Sequence, residues 1–389
     1  MKNKLINFIK HNRFLYKIIT FLYRVFYNFL GIFIRTKKTI MFSSFGGRKF
    51  DDSPYSLYME IIKDHFFDEY EIVWAFTDIN KFEVERGKKV KIDTFKFFTT
   101  LLSSKIWISN TDVDRGIGLR KKGVVRIETW HGTPLKKICG EENTKTFKPH
   151  RRKNSRNIIR CAQSEYDREI FARIFKCPKE SILLCDLPRN DELVHNLSDK
   201  ERNSILCELG IPFDKKIILY MPTYREYLNQ NYESYIEPPI DFKKWETIIG
   251  NNFVVLFRAH YSTSKVFGIE DNNFIHDVSK YERLNNLYQI SDILISDYSS
   301  AFFDFCIKGK KMLCFPYDLD EYKQKRGLYL DIEKDLKLPV YKNESDLLKA
   351  IVDVNHEKQA DISEFKNKFA PFAGNAANTI LEKLKNMLS

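Results

Sequence analysis

The sequence lacks the motifs by which many phosphate-binding and metal-binding proteins are identified. It contains no P-loop and no GxGxxG string, and its seven cysteines include no CxxC pair. The odd number and wide spacing of these cysteines argue against a zinc site or a disulfide framework. They are typical of the reduced thiols of a cytoplasmic protein.

Acidic residues are absent from the first 38 positions, which contain nine lysines and arginines. The longest uncharged run there, Val25–Ile34, has ten residues, whereas a membrane-spanning helix needs about 20. No small-residue cleavage site follows this run, which argues against a signal peptide. Aromatic and aliphatic residues interleaved with cations favour a peripheral segment on an anionic membrane surface, at the cytoplasmic face. A helical hairpin docked on the body of the protein is the alternative.

The remaining 351 residues carry only +3 of the formal net charge of +12. Such local basic character argues against a protein that coats nucleic acid with its whole surface. A second basic stretch, residues 145–160, holds seven lysines and arginines and no acid. It is either a solvated loop or a docking strip for phosphates of the acceptor or the membrane.

From residue 39 onward, short apolar runs alternate with amphipathic stretches, a pattern that predicts parallel sheets covered by helices. The predicted strands are Thr39–Ser43, Glu71–Phe76, Lys105–Ser109, Val124–Thr129, Lys216–Met221, Phe253–Arg258, Asp292–Ser296 and Lys311–Phe315. The predicted helices are Ser53–Phe66, Phe95–Leu102, Tyr281–Ile290, Ser299–Ile307, Glu344–Asn355 and Asn375–Leu388. We therefore expect an α/β protein with an N-terminal amphipathic segment (1–38) and two doubly wound, Rossmann-like domains (39–205 and 206–389) facing a cleft. The last predicted helices of the chain are candidates to cross back from the second domain to the first.

Ligands of such sheets bind at the carboxyl ends of the strands, and five polar segments follow predicted strands. They are Thr129–Lys136 (TWHGTPLK), Pro222–Arg225 (PTYR), Arg258–His260 (RAH), Ser296–Ser300 (SDYSS) and Phe315–Asp318 (FPYD). Together they bring histidines, cations and hydroxyl groups to one edge of each sheet.

This set of side chains suits a diphosphate ligand. The helix start at Ser299 and Ser300 offers backbone N–H groups and two hydroxyls. Arg258 adds a planar fork for phosphate oxygens, and histidine exchanges protons near neutral pH. Each segment also has a plainer interpretation: the serines as a helix cap, Arg258 with His260 as a surface pair, Pro222-Thr223 as a turn. The glycine after His131 allows close backbone approach to a ligand.

These strings, in this order and spacing, resemble the CDP-glycerol glycerophosphotransferase family of teichoic acid primases and polymerases. The most specific are TWHGTPLKKI, LPRND, MPTYR, RAH, ISDYSSAFFDF and FPYDLDEYKQKRGLYLD, within about residues 40–388. The resemblance implies a GT-B-type fold with the active site in the interdomain cleft. The family more often has proline where this chain has Ala259, which leaves the subfamily and the polyol open.

The resemblance implies two catalytic histidines, His131 and His260, whose roles are interchangeable at this stage. We assign His131 as the general base and His260 with Arg258 to the diphosphate. The substrate-binding residues implied by the family motifs are Trp130, Gly132, Thr133, Pro134, Arg189, Pro222, Thr223, Arg258, Ala259, Ser299, Ser300 and Asp304. We expect no cofactor and no metal; the nearest candidate for a metal-binding pair is Asp318-Leu319-Asp320.

The expected activity is transfer of glycerol phosphate, or a related polyol phosphate, from a CDP-polyol donor to a hydroxyl of a lipid-linked or glycan acceptor, with release of CMP. The product would be teichoic acid or capsule. The alternatives are a GT-B glycosyltransferase that uses a nucleotide sugar, a non-enzymatic membrane scaffold, and a nucleic-acid binder. Retention of both histidines and the serine pair argues against the scaffold. The oligomeric state stays open.

Overall fold

The computed structural model describes residues 13–143, 157–223, 225, 239–259, 271–353 and 362–389. It contains two wholly parallel sheets. The first sheet comprises β1 Lys37–Ser43, β2 Glu71–Phe76, β3 Lys88–Lys91, β4 Ser104–Ser109, β5 Val125–Glu128, β6 Ile158–Ala162 and β7 Ile182–Leu184. The second comprises β8 Lys216–Met221, β9 Phe253–Phe257, β10 Ile275–Asp277, β11 Ile293–Ser296 and β12 Lys311–Cys314.

The strand order is β3-β2-β1-β4-β5-β6-β7 in the first sheet and β10-β9-β8-β11-β12 in the second. In each sheet the order reverses once, between β1 and β4 and between β8 and β11. Ligands of doubly wound sheets bind in the crevice outside the carboxyl ends of the strands at such a reversal. The loops after these four strands are therefore where a substrate is expected.

Twelve α-helices lie in the described part of the chain, and most of them cover the faces of the sheets. They are α1 Arg13–Phe33, α2 Asp52–Ile61, α3 Phe95–Ser103, α4 Glu165–Phe175, α5 Asp199–Leu209, α6 Phe242–Ile249, α7 Leu284–Ile290, α8 Ala301–Phe305, α9 Leu319–Lys325, α10 Glu344–Val352, α11 Ile362–Phe369 and α12 Ala376–Leu388. Local sequence sets several helix ends. Ser198 and Glu201 form a reciprocal capping box at the start of α5, and Gly210 ends that helix in the left-handed conformation.

The two-sheet α/β fold predicted from the sequence is confirmed, and all eight predicted strands are present with ends shifted by at most two residues. The prediction missed β3, β6, β7 and β10 and helices α4, α5, α6, α9 and α11. The predicted helix over Ser53–Phe66 is wrong at its end, because α2 stops at Ile61.

The last helix, α12, returns to the first sheet. Ile380 and Leu384 are buried in the same apolar cluster as Ile40 of β1. The Asp191 carboxylate accepts hydrogen bonds from the backbone N–H groups of Ala376 and Ala377, both at 2.8 Å. This places a negative charge at the positive end of α12. The domain limits at 38/39 and 205/206 stay a prediction.

Candidate active site

His131 lies in the loop after β5, half-buried, with its ring stacked on that of Trp130 at a centroid distance of 4.3 Å. Its Nδ1 is 2.9 Å from the backbone oxygen of Asn110. A carbonyl oxygen only accepts, so Nδ1 carries the proton and Nε2 of the neutral ring keeps its lone pair. Burial lowers the pKa of His131 below its usual value, against the opposing effect of the Asn110 hydrogen bond. The ring is therefore neutral at physiological pH, as a general base must be.

Asn110 is the residue that connects the loops after β1, β4 and β5. Its side-chain oxygen accepts a hydrogen bond from the backbone N–H of Phe45 at 2.8 Å, and its backbone oxygen orients His131. The sequence analysis missed it. The available signal was its position, because it directly follows a predicted strand that ends at Ser109.

Gly132 lies where the loop after β5 meets the loop after β11 of the other sheet. Its φ is 141°, and a Cβ there would stand 2.9 Å from Oγ of Ser300. Only glycine permits this conformation and this approach. The structure thus brings the His131 loop and the predicted serine pair together across the two sheets.

The serine pair does not begin a long helix, because α8 has only five residues and continues as a short 3₁₀ turn, Cys306–Lys308. Ser299 Oγ accepts a hydrogen bond at 3.1 Å from the backbone N–H of Ala301, the first residue of the short helix. Ser300 is half-buried and faces Gly132. Of the two, Ser300 is the better placed to donate to a substrate in the crevice.

Arg189 is buried beneath this junction and binds both halves of the molecule. Its Nη1 is 2.6 Å from Asp52 and its Nη2 is 2.5 Å from Asp304. Nη1 also donates to the backbone oxygen of His131 at 3.0 Å. Burial works against the charge, but the ion pairs with Asp304 and Asp52 raise the pKa of Arg189. Both side chains thus hold the site together from below, and the substrate contacts predicted for Arg189 and Asp304 stay a prediction.

Thr133 is also buried beneath the loop. Its Oγ1 lies 2.6 Å from Gln163 Oε1 and 2.9 Å from Asp167 Oδ2. Burial raises the pKa of Asp167 to about 7. The next residue, Pro134, accepts a hydrogen bond from the Tyr166 hydroxyl through its backbone oxygen. Thr133 therefore supports the loop from below, and its predicted contact with substrate stays a prediction.

Pro222 and Thr223 follow β8 at the reversal point of the second sheet. The Thr223 backbone N–H donates to Asp297 Oδ1 at 2.9 Å. Its Oγ1 is buried and has no hydrogen-bond partner among the described residues. A buried polar group without a partner costs free energy, so this hydroxyl stays a candidate for contact with the donor.

Arg225 is a second buried arginine that the site prediction did not include. It donates to both carboxylate oxygens of Asp318 at 2.7 and 2.8 Å and to Asp297 at 2.9 Å. The Tyr298 hydroxyl also donates to Asp318. Asp318, the first member of the candidate metal-binding pair, thus fixes Arg225 at the end of β8. Within the described ranges, no cluster of three or more histidine, cysteine or acidic side chains has the geometry of a metal site.

Arg258 follows β9 and is buried. Its Nη1 donates to the backbone oxygens of Val278 and Tyr281 at 2.8 and 3.0 Å. The Ala259 backbone N–H donates to the Ser279 hydroxyl at 2.9 Å. His260 lies outside the described residues, so its meeting with His131 stays a prediction.

Most of the basic stretch over residues 145–160 also lies outside the described residues. Its last member, Arg160, lies in β6 and forms a buried ion pair with Glu128 at 2.8 Å. Arg160 therefore belongs to the sheet and not to a solvated or phosphate-binding loop.

Comparison with known proteins points to the same family as the motifs of the site. The family described as CDP-Glycerol:Poly(glycerophosphate) glycerophosphotransferase matches residues 25–386. A teichoic acid poly(glycerol phosphate) polymerase of Staphylococcus epidermidis is 34% identical over 349 residues, which are 85% of this chain and 48% of that protein. A teichoic acid glycerol-phosphate transferase of Staphylococcus aureus is 32% identical over 333 residues, 82% of this chain and 84% of that one. This chain thus spans about half the length of the first relative.

Among solved structures, the wall teichoic acid polymerase TagF superposes with a TM-score of 0.81 at 29% identity, and the match covers 100% of both chains. A histidine-to-asparagine variant of TagF soaked with CDPG gives the same TM-score at 28% identity.

Proposed function

Because this chain belongs to the CDP-glycerol:poly(glycerophosphate) glycerophosphotransferase family, we propose that it transfers glycerol phosphate from CDP-glycerol to an acceptor hydroxyl and releases CMP. The observation that carries the proposal is the orientation of His131. Its Nδ1–H is bound by Asn110, while its loop touches Ser300 at the end of the opposite sheet. A base and a phosphate-binding edge thus meet in one crevice.

In the proposed reaction, the acceptor hydroxyl gives its proton to Nε2 of His131 as its oxygen attacks the phosphorus that bears glycerol. A bond forms between that oxygen and the phosphorus. The bond from the phosphorus to the bridging oxygen breaks, and CMP leaves with that oxygen. Phosphoryl transfer depends mainly on positioning and electrostatic stabilisation, which Arg258, Ser300 and Thr223 are proposed to supply at the diphosphate.

The acceptor is proposed to be the terminal hydroxyl of a lipid-linked glycan or of a growing chain at the cell envelope. Relatives include glycerol-phosphate polymerases and transferases and ribitol-phosphate polymerases. Identity is lower to the ribitol enzymes, at 26% against 34% and 32%. We therefore propose glycerol as the polyol, in teichoic acid or a related capsule polymer.

The direct test is to incubate the purified protein with CDP-glycerol, CDP-ribitol or a nucleotide sugar, with and without a lipid-linked acceptor. We expect CMP release from CDP-glycerol that depends on the acceptor. Turnover of only the nucleotide sugar would identify a glycosyltransferase instead. Loss of activity in EDTA, restored by a divalent ion, would contradict the metal-free mechanism.

We further propose that helix α1 holds the enzyme on the cytoplasmic face of the membrane, as a peripheral protein. No helix in the described ranges meets the length and hydropathy needed to cross a bilayer. One face of α1 is docked, since Tyr27 is buried against the ring of Phe98 at 4.4 Å. The polar contacts that fix it include Arg24 Nε to the oxygen of Ile117 at 2.7 Å and the Arg120 N–H to Asn28 Oδ1 at 2.6 Å.

The remainder of α1 presents a row of exposed apolar side chains. Phe29, Ile32 and Phe33 are 62%, 74% and 71% exposed. The helix contains no carboxylate, and exposed cations lie beside it at Lys17, Arg35, Lys37, Arg120 and Lys122. Apolar rings on a helix without acidic residues, flanked by cations, match the interface of an anionic bilayer. We therefore propose that α1 docks on the body of the protein by one face and offers the other to lipid.

Replacing Phe29 and Phe33 with serine is expected to reduce binding to vesicles that contain anionic lipid. Each buried ring contributes roughly 1.5–3 kcal/mol, so binding should fall at least about tenfold per residue. Co-sedimentation measures it. Phe66→Ser, at an exposed phenylalanine on the body of the protein, is the matched control. Unchanged sedimentation of the double variant would overturn the lipid assignment. If that variant instead lost self-association in light scattering, the face would be a contact between two copies.

A further inference from the structure

Lys49 lies in the loop between β1 and α2, at the reversal point of the first sheet. The loop is closed by an antiparallel bridge between Ser44 and Lys49. The Lys49 ammonium lies 5.8 Å from the ring centre of Phe45, and that ring lies 5.8 Å from the ring of His131. The side chain is half-buried. Among the described residues, its ammonium has no hydrogen bond or ion pair, which is unusual for a lysine that is partly withdrawn from water.

Arg258, which follows β9 of the second sheet, is near enough for its charge to add to burial in lowering the pKa of Lys49. Among the described residues, the groups that accept the hydrogen bonds of Arg258 are two backbone carbonyls, and no carboxylate forms an ion pair with it. Four acidic side chains nearby act on these two cations from a distance. Their partners are Arg283 for Asp51 at 3.7 Å, Lys81 for Glu282 at 2.7 Å, Arg189 for Asp52 at 2.6 Å and the Ser279 backbone N–H for Asp277 at 2.9 Å.

The contact between Asp51 and Arg283 also fixes the relative position of the two cations. Asp51 is two residues from Lys49, and Arg283 is two residues from Tyr281, whose carbonyl holds Arg258. Burial and the nearby Arg258 lower the pKa of Lys49, and burial lowers the pKa of Arg258. Two like charges held close and partly dehydrated are unfavourable in the free protein, and a bound anion would offset that cost.

We propose that Lys49 and Arg258 together bind the phosphate that is transferred, Lys49 from the first sheet and Arg258 from the second. This inference rests on the proposed function and adds Lys49 to the residues that contact substrate. Arg258 supplies a planar fork and Lys49 a compact point charge. The ring of Phe45 lies near both the Lys49 ammonium and the His131 ring. In this proposal the ammonium lies beside the phosphorus that the acceptor attacks, where negative charge increases in the transition state.

The test compares Lys49→Gln, Lys49→Arg and the control Lys63→Gln, a surface lysine paired with Glu60 on the same half of the chain. Loss of a hydrogen bond to a charged group predicts that Lys49→Gln lowers kcat/KM for CDP-glycerol about 10- to 100-fold. Lys49→Arg should retain part of the activity, and Lys63→Gln should match the wild type. Full activity of Lys49→Gln would overturn the proposal.

The same phosphate chemistry occurs in the acceptor when it already ends in glycerol phosphate. Turnover is therefore measured with that acceptor and with one that has no phosphate near the attacked hydroxyl. An equal defect with both supports the transferred phosphate as the ligand. A defect confined to the phosphate-bearing acceptor would assign Lys49 to the acceptor and overturn the inference.

Two further measurements separate this inference from the proposed function. Calorimetric binding of inorganic pyrophosphate should weaken in Lys49→Gln whether or not CDP-glycerol is the true donor. If the wild type does not turn over CDP-glycerol but Lys49→Gln still weakens pyrophosphate binding, the anion site is confirmed and the proposed function is wrong. The melting temperature of Lys49→Gln should equal or exceed that of the wild type, because a repulsion is removed. A lower melting temperature with unchanged pyrophosphate binding would make Lys49 a structural residue.

Discussion

Replacing His131 with asparagine is expected to lower turnover about 10²- to 10⁴-fold, the range typical for loss of a general base. Asparagine places its amide nitrogen where Nδ1 lies and so preserves the hydrogen bond to the Asn110 backbone oxygen. What it removes is Nε2, the only atom of the ring placed to take a proton in this tautomer. CDP-glycerol binding should change little, because the donor diphosphate is assigned to other residues. Single-turnover kinetics and calorimetric donor binding separate the two effects.

The pH dependence adds a second check on His131. A general base works only when it is unprotonated, and burial holds the pKa of His131 below its usual value. The rate in the wild type should therefore stay level through neutral pH and fall only as the pH drops below about 6.5, the ordinary value for histidine. The asparagine variant should lack this acid limb. His65→Asn, at an exposed histidine, is the control. Near-normal turnover of His131→Asn would rule out the base.

Replacing Arg189 with methionine is expected to lower the free energy of unfolding by about 3–5 kcal/mol, the cost of removing one partner from a buried ion pair. The substitution leaves Asp52 and Asp304 buried with no cation between them. It also removes the hydrogen bond that holds the His131 backbone, so activity should fall in the molecules that remain folded. Urea denaturation measures the stability.

Neutralising the carboxylates tests the cause of this effect. Combining Arg189→Met with Asp304→Asn should restore part of the lost stability, since one uncompensated charge is gone. Lys179→Met breaks an exposed ion pair with Glu169 and should cost no more than about 1 kcal/mol. If Arg189→Met loses activity with its stability unchanged, Arg189 acts on substrate as the sequence first suggested, and its assignment as a buried support is wrong.

Local patterns were sufficient for eight of the twelve strands. β2 and β8 were predicted with their observed ends, because each consists of one charged residue followed by five apolar residues. β6 was missed because Arg160 interrupts its short apolar run. The Glu128 carboxylate on the neighbouring strand and the ring of Phe175 accommodate that arginine. The alternation of strands and helices predicted parallel sheets. The positions directly after the predicted strands identified the polar segments of the crevice.

The sequence by itself determined the fold class, the family and the positions of His131, Gly132 and Ser300, because these depend on short-range periodicity and on strings of neighbouring residues. The tertiary structure decided which of these groups are paired with one another and how they are oriented. Arg189 meets Asp52 and Asp304 across 137 and 115 residues of chain, and the tautomer of His131 depends on a carbonyl 21 residues away. Charge pairing and proton position are set by neighbours in space, and neighbours so far apart in the chain leave no periodic signal in it.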